Sequence, residues 1–284
     1  MDTDNLKVGF LLFDQFHGRK DTGSSRIRGH WLIKNWPNAE LFKQGQKYDV
    51  VIYQKAYFVD HARADKHSIK ILDLCDPDFL HWGHRVREMI EEMNAVTTST
   101  ESLAEAIRHF TDKPVKCIPD RIDPEFHQGE LKVHENRAEW VVWFGYSTGF
   151  DMLKPVLSFL KKNKLGLIVI SDNAFFMPTA YVDDIKIANY PWDIKTINDH
   201  IKEADMVINP QSTAGKWKYK SNNKTLTGWA LGMPVATTVE ELERFIDPEE
   251  RRKEVELRQK ELREKWLISK SVKEYKELIT DLTK

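Results

Sequence analysis

Short runs of Val, Ile, Leu and Phe recur along the chain, separated by stretches in which apolar residues return every three or four positions. Residues 7–13 (KVGFLLF), 49–53 (DVVIY), 69–74 (IKILDL), 95–98 (AVTT) and 115–118 read as strands. Between the first two, residues 23–36 place Ile27, Trp31, Leu32 and Trp36 at helical spacing. Residues 101–110 read as a helix capped by Ser99 or Thr100. Continuous apolar runs alternating with amphipathic helices predict a parallel sheet covered on both faces.

The pattern breaks at Pro124, Gly129 and a mixed-charge run, then restarts. Strands are expected at 139–145, 165–171, 185–188, 206–209 and 234–237. Helices are expected at 153–162, 194–203 and 224–231, the last ended by Gly232. Beyond Glu240 the chain is charge-rich and helical, with Trp266, Ile268, Val272, Tyr275, Leu278 and Ile279 in one stripe. The expected fold class is α/β, as two tandem doubly wound, Rossmann-like domains at 1–125 and 126–262.

Composition narrows the function. Lys plus Arg total 43 against 44 Asp plus Glu, so bulk positive charge does not bind nucleic acid here, although a local basic patch remains open. Cys75 and Cys117 alone make neither a disulfide framework nor a zinc-finger array. The acidic start MDTDNLKVGF does not read as a signal peptide, and no apolar run approaches the roughly 18 residues of a membrane span. The expectation is a reduced, cytoplasmic, soluble protein without integral membrane contact.

In open α/β sheets ligands bind beyond the carboxyl ends of strands, so the loops there carry the candidate chemistry. No G-x-G-x-x-G follows the first strand and no G-x-x-x-x-G-K-[ST] occurs, which disfavours a dinucleotide dehydrogenase and a P-loop NTPase. The loop at 18–29 (GRKDTGSSRIRG) suits an anion at a helix start, with Arg26 and Arg28 as planar donors; a surface loop with capping serines is the plainer alternative. Residues 216–238 carry the strongest signal. Ser221, Asn222 or Asn223 can cap a helix whose first turn holds Lys224 and Thr225, with Lys220 just ahead, and these groups together suit a diphosphate. The segment KWKYK at 216–220 reads equally as a lysine-guarded edge strand or as a basic stacking surface.

Asp73, Asp76 and Asp78 follow the fourth strand. Asp76 is a candidate general base or positioning group, with His81 and His84 downstream. The spacing of Asp76 and Asp78 also suits a divalent cation, but Pro77 restricts Asp76 to extended backbone and no metal is expected. Lys55 ends the third strand. Gly145, Tyr146 and Ser147 open the loop after the first strand of the second domain, and Tyr190 or Trp192 can stack on a base or pack into the core.

Taken in order, these segments resemble the glycosyltransferases of the B-type fold, especially the retaining group called family four. SSRIRG, KILDLCDP, AVTTSTESLAEAI, CIPDRID, WFGYSTGFDML and KSNNKTLTGWALGMPVATT fall in that group's order along nearly the whole chain. The resemblance implies a cleft between the domains, a nucleotide-sugar donor on the second domain and an acceptor on the first. It also implies a C-terminal helix, 263–284, that packs back on the first domain. No cofactor is implied, the nucleotide-sugar being a substrate. Lys220 and Lys224 would neutralise the leaving diphosphate without a metal, Arg28 would reach it from the first domain, and Asn222, Asn223 and Thr225 would orient it. The group's paired glutamates would fall at Tyr219 and Thr227, neither acidic, and Asp73 and Asp76 stand where relatives carry histidine. Aspartate there suits an inverting, base-assisted attack, as in phage DNA glucosyltransferases of this fold. The expected acceptors are a saccharide or a hydroxymethylated DNA base. The alternatives are a non-catalytic nucleotide-sugar or nucleic-acid binding module, and a sugar-nucleotide epimerase.

Overall fold

The computed structural model describes residues 5–16, 22–211 and 214–284, so residues 18–21 of the glycine–arginine loop lie outside the described residues. The chain forms two compact units: Met1–Asp123 with Ala214–Asn222 and Trp266–Lys284, and Pro124–Thr213 with Asn223–Lys265.

The first unit is built on a six-stranded parallel sheet: β1 (Val8–Leu12), β2 (Ala39–Leu41), β3 (Val50–Gln54), β4 (Ile69–Leu74), β5 (Ala95–Thr98) and β6 (Val115–Cys117), in the order β2-β1-β3-β4-β5-β6. β1, β3 and β5 are buried along their whole length, which is why each reads as an unbroken apolar or small-residue run. β2 is three half-buried residues on the sheet edge and has no such run. The helix expected at 23–36 forms with an interruption. Its middle, Arg26–His30, is a wide i→i+5 turn in which Ile27, Arg28 and Gly29 are buried. It lies so close to β1 that a β-carbon on Gly29 would overlap the Leu12 side chain. Of the two expected caps, Thr100 fills the role, its Oγ1 accepting from the Leu103 N–H at 3.2 Å.

The second unit holds a five-stranded parallel sheet: β7 (Trp140–Phe144), β8 (Gly166–Ser171), β9 (Ile187–Pro191), β10 (Met206–Ile208) and β11 (Val235–Ala236), in the order β11-β10-β7-β8-β9. Apolar residues of β7, β8 and β10 point to both faces and feed two separate cores, one around Trp143, Phe159 and Phe245 and the other around Val142, Ile168 and Ile201.

A buried arginine anchors each unit. In the first, Arg28 donates from Nε and Nη2 to both oxygens of Asp73 at 2.8 and 2.6 Å, and from Nη1 to Asp120 at 2.9 Å and to the Ile118 carbonyl at 2.8 Å. Asp73 also accepts from Thr97 Oγ1 at 2.7 Å and from Tyr275 Oη at 2.9 Å. Tyr275 belongs to the C-terminal helix Ile268–Leu282, which Arg121 holds further through a two-pronged pair with Glu274 at 2.8 and 2.6 Å. In the second unit Arg251 is wholly buried; it donates to the carbonyls of Phe245, Ile246 and Asn136, and from Nε to His134 Nδ1 at 3.1 Å. An arginine Nε only donates, so Nδ1 must accept and Nε2 carries the proton, given to the Gly232 carbonyl at 2.9 Å.

These anchors make two predictions. Arg28→Met leaves Asp73 and Asp120 as buried carboxylates without their counter-ion, and urea denaturation should show a loss of about 3–5 kcal/mol; a loss below about 1 kcal/mol would show that the network contributes little. Burial, and then the charge of Arg251, hold the His134 imidazole below its ordinary value. The unfolded chain therefore takes up this proton first, near pH 6.5, and stability falls as pH drops below about 6.5. The melting temperature of wild type should fall more steeply between about pH 7 and 5 than that of His134→Gln; parallel slopes would exclude this linkage.

Candidate functional site

Within each sheet the winding reverses once: between β1 and β3 in the first unit and between β7 and β10 in the second. Loops leaving neighbouring strands in opposite directions open a crevice there, at the carboxyl ends.

In the second unit, Gly145 leaves β7 with φ +149°, and its N–H donates to the Ile170 carbonyl at 3.0 Å. A β-carbon at this position would lie 2.6 Å from Lys224 Nζ, so the absent side chain is what admits the ammonium. Lys224 sits in the first turn of the helix Asn223–Ala230, with its Nζ 4.6 Å from the centre of the Trp143 ring. Asn209, just past β10, donates to Thr225 Oγ1 at 3.2 Å, and Thr227 Oγ1 donates to Asn223 Oδ1 at 3.2 Å. Gly145, Lys224, Thr225 and Asn209 thus meet at the switch point. Asn209 was missed as a site residue; its signal was a polar side chain closing an apolar strand. Asn222 immediately precedes the helix, as the last residue of the stretch that packs with the first unit.

Residues 145–149 also match the G-x-S-x-G spacing of a nucleophile elbow. The geometry does not make one. The Ser147 N–H donates to Asp172 Oδ1 at 2.7 Å, and its Oγ accepts from Asn173 at 2.9 Å; no histidine is among its hydrogen-bond partners in the described residues. The loop after β7 is thereby tied to the loop after β8, leaving Tyr146 61% exposed. Trp192 follows the outer strand β9, with β8 between it and β7. Tyr190 stacks face to face on His200 with ring centres 3.9 Å apart, so its ring is already occupied.

In the first unit, Lys55 leaves β3 with a left-handed φ of +50°, a cost that a lysine bears only where its surroundings demand it. Its Nζ donates to Asp76 Oδ2 at 2.7 Å and lies 3.6 Å from Asp78. Lys220 Nζ donates to the other oxygen, Asp76 Oδ1, at 2.6 Å. Tyr57 Oη donates to Asp78 Oδ2 at 2.6 Å. Burial pushes the Asp76 carboxyl up, but Lys55 and Lys220 outweigh it and hold Asp76 below the usual range. Burial dominates at Asp78 and holds that carboxyl above the usual range. His81 and His84 are exposed, His84 facing Glu88 at 3.3 Å.

Two expectations are corrected. Lys224 groups with the second unit and Lys220 with the first. The segment before Lys220 is a tight helical turn, Gly215–Tyr219, not an edge strand; Tyr219 is buried 5.7 Å from the Phe79 ring, and its carbonyl accepts from Thr100 Oγ1 at 3.4 Å. Arg28 was expected to face the diphosphate. It is 3% exposed and commits Nε and both terminal nitrogens to Asp73, Asp120 and Ile118, because the wide turn at 26–30 directs it inward.

Among the described residues no group of three or more His, Cys, Asp or Glu side chains is arranged to hold a metal ion. No described helix is long and apolar enough to cross a membrane.

No family model and no curated protein matches the chain. Solved structures do. Anabaena HepE in complex with UDP-glucose superposes with a TM-score of 0.65 at 13% identity, over 97% of this chain and 100% of HepE. A variant of TarM from S. aureus, in complex with fondaparinux, alpha-GlcNAc-glycerol and UDP, gives 0.58 at 11% identity, over 80% of this chain and 54% of TarM. This chain therefore spans about half the length of TarM. The DNA-modifying enzyme beta-glucosyltransferase, studied with and without uridine diphosphoglucose, gives 0.51 at 11% identity, over 98% of this chain and 97% of the enzyme. The protein has two parallel-sheet, Rossmann-like α/β units and shares the B-type glycosyltransferase fold of these proteins.

Proposed function

We propose that this protein is a glycosyltransferase that moves a sugar from a nucleotide-sugar donor to a hydroxyl acceptor. The observation that carries the reading is the Lys224 ammonium over the Gly145 backbone, in the first turn of a helix that starts at the switch point of the second sheet. Cleavage of the bond between sugar and diphosphate leaves added negative charge on the leaving oxygen. A fixed ammonium and the N–H groups of a helix start stabilise that charge as it develops, and they need no reorganisation to do so. Thr225, Asn223 and Asn209 orient the phosphates, and Ser147 and Tyr146 border the same loop. The fold shared with proteins crystallised with UDP and UDP-glucose supports a uridine nucleotide as the donor. Because positive charge comes from the protein itself, transfer is expected to continue in a chelator.

The acceptor belongs, on this reading, to the carboxyl edge of the first sheet. Asp76 is held ionised by Lys55 and Lys220 and accepts on both oxygens. That suits it to orient an acceptor hydroxyl, with Lys220 as its partner. Tyr219 and Thr227 occupy the places of the retaining family-four group's glutamates, which argues against a retaining family-four enzyme.

UDP and UDP-glucose should raise the melting temperature, by the equivalent of about 2.7 kcal/mol at a ligand concentration a hundredfold above Kd. Lys224→Ala should weaken UDP binding roughly tenfold or more, as expected for loss of a charged hydrogen bond. Gly145→Ala should weaken it comparably by displacing the ammonium. If millimolar UDP, UDP-glucose and other nucleoside diphosphates leave the melting temperature unchanged, the donor site is not where this reading puts it.

A further inference from the structure

The carboxyl edge of the first sheet carries more than ion pairs. Phe16, after β1, is 50% exposed and meets Phe58, after β3, edge to face with ring centres 4.6 Å apart. Trp82, after β4, is 51% exposed and meets Tyr57 edge to face at 6.1 Å. The Trp82 backbone departs from helical geometry (φ −127°, ψ 39°) inside the helix Phe79–Glu91, so a local kink sets the direction of its indole. Both rings remain half in water, each packed on one residue, Phe58 or Tyr57, of the segment that follows the left-handed Lys55.

The polar groups among these rings are balanced. Lys55 and Lys220 face Asp76 and Asp78, and each ammonium lies within 2.7 Å of an Asp76 oxygen. A polyanion gains most of its affinity from cations that are not already neutralised. Both ammoniums here are neutralised inside the cluster. A sugar ring has the complementary make-up: hydroxyls that donate to carboxylates and accept from ammoniums, and C–H faces that pack on aromatic rings.

We infer that the acceptor is a neutral saccharide, packed on Phe16 and Trp82 and hydrogen-bonded by Lys55, Asp76, Asp78 and Lys220. This inference rests on the transferase reading for the word acceptor, but the saccharide site itself does not depend on it. Tyr57 fixes the orientation of Asp78, and the left-handed turn at Lys55 aims its side chain at Asp76.

The test uses the full chain, an array of neutral oligosaccharides built from glucose, galactose, mannose and N-acetylglucosamine, and a DNA duplex containing hydroxymethylcytosine. The UDP-induced melting shift is recorded in parallel on every variant. The expected result is capture of one saccharide class, insensitive to salt, weakened roughly tenfold by Trp82→Ala and by Phe16→Ala. Trp82→Phe keeps a ring and should retain most of the binding, while the UDP shift is the same in all of these variants. Binding of the duplex in place of saccharides, falling steeply with salt and drawing on the exposed Lys216 and Lys218, would overturn the inference. A normal UDP shift with neither probe bound would also overturn it and leave the donor site standing. Saccharide capture that depends on Trp82, with no UDP shift in wild type, would uphold the saccharide site and sink the transferase reading.

Discussion

Both sheets are entirely parallel, and that constraint governs where chemistry can occur in this chain. Every connection must cross back over its sheet, so all carboxyl ends of a sheet lie on one edge, and each sheet has a single place where successive crossovers part. The candidate groups collect at those two places. The β1–β3 edge gathers Lys55, Tyr57, Asp76, Asp78 and Lys220, and the β7–β10 edge gathers Gly145, Asn209, Lys224 and Thr225. The two edges differ in character. One is a balanced set of ammoniums and carboxylates flanked by half-exposed rings; the other is an ammonium, a helix start and neutral amide and hydroxyl groups. A diphosphate suits the second and a polyhydroxyl ring suits the first.

These edges stay in place because charged groups are buried beneath them. Arg28 and Asp73 lie at the carboxyl end of the first sheet, and through Tyr275 the same carboxylate holds the C-terminal helix. Removing two charges from water is costly, and such a pair survives only when its remaining donors and acceptors are satisfied. Here Ile118, Asp120, Thr97 and Tyr275 satisfy them. Arg251 plays the equivalent part in the second unit, where three carbonyls and His134 surround it.

Strands buried on both faces were legible because an unbroken apolar run such as Trp140–Phe144 admits few other readings. β2 was not: three half-buried residues carry no periodicity. The likeness in segment order to B-type glycosyltransferases anticipated the two-unit fold, although no single motif carries it. Site residues were less legible than strands. In sequence, a buried arginine that pairs with Asp73 looks the same as one that faces a phosphate, since both follow a glycine- and serine-rich turn. Lys220 and Lys224 stand four positions apart and read as one cluster, but burial of Tyr219 fixes the first of them against Asp76. The burial of one tyrosine, invisible to any charge pattern, accompanies the grouping of Lys220 with the first unit.

The central claim is that the second sheet's switch point holds a nucleotide diphosphate. The most direct test is a crystal structure of the chain grown with UDP. The account predicts the β-phosphate within hydrogen-bonding distance of Lys224 Nζ and of the first-turn N–H groups of Asn223–Ala230. A diphosphate found instead between Lys55 and Lys220, displacing Asp76, would contradict it.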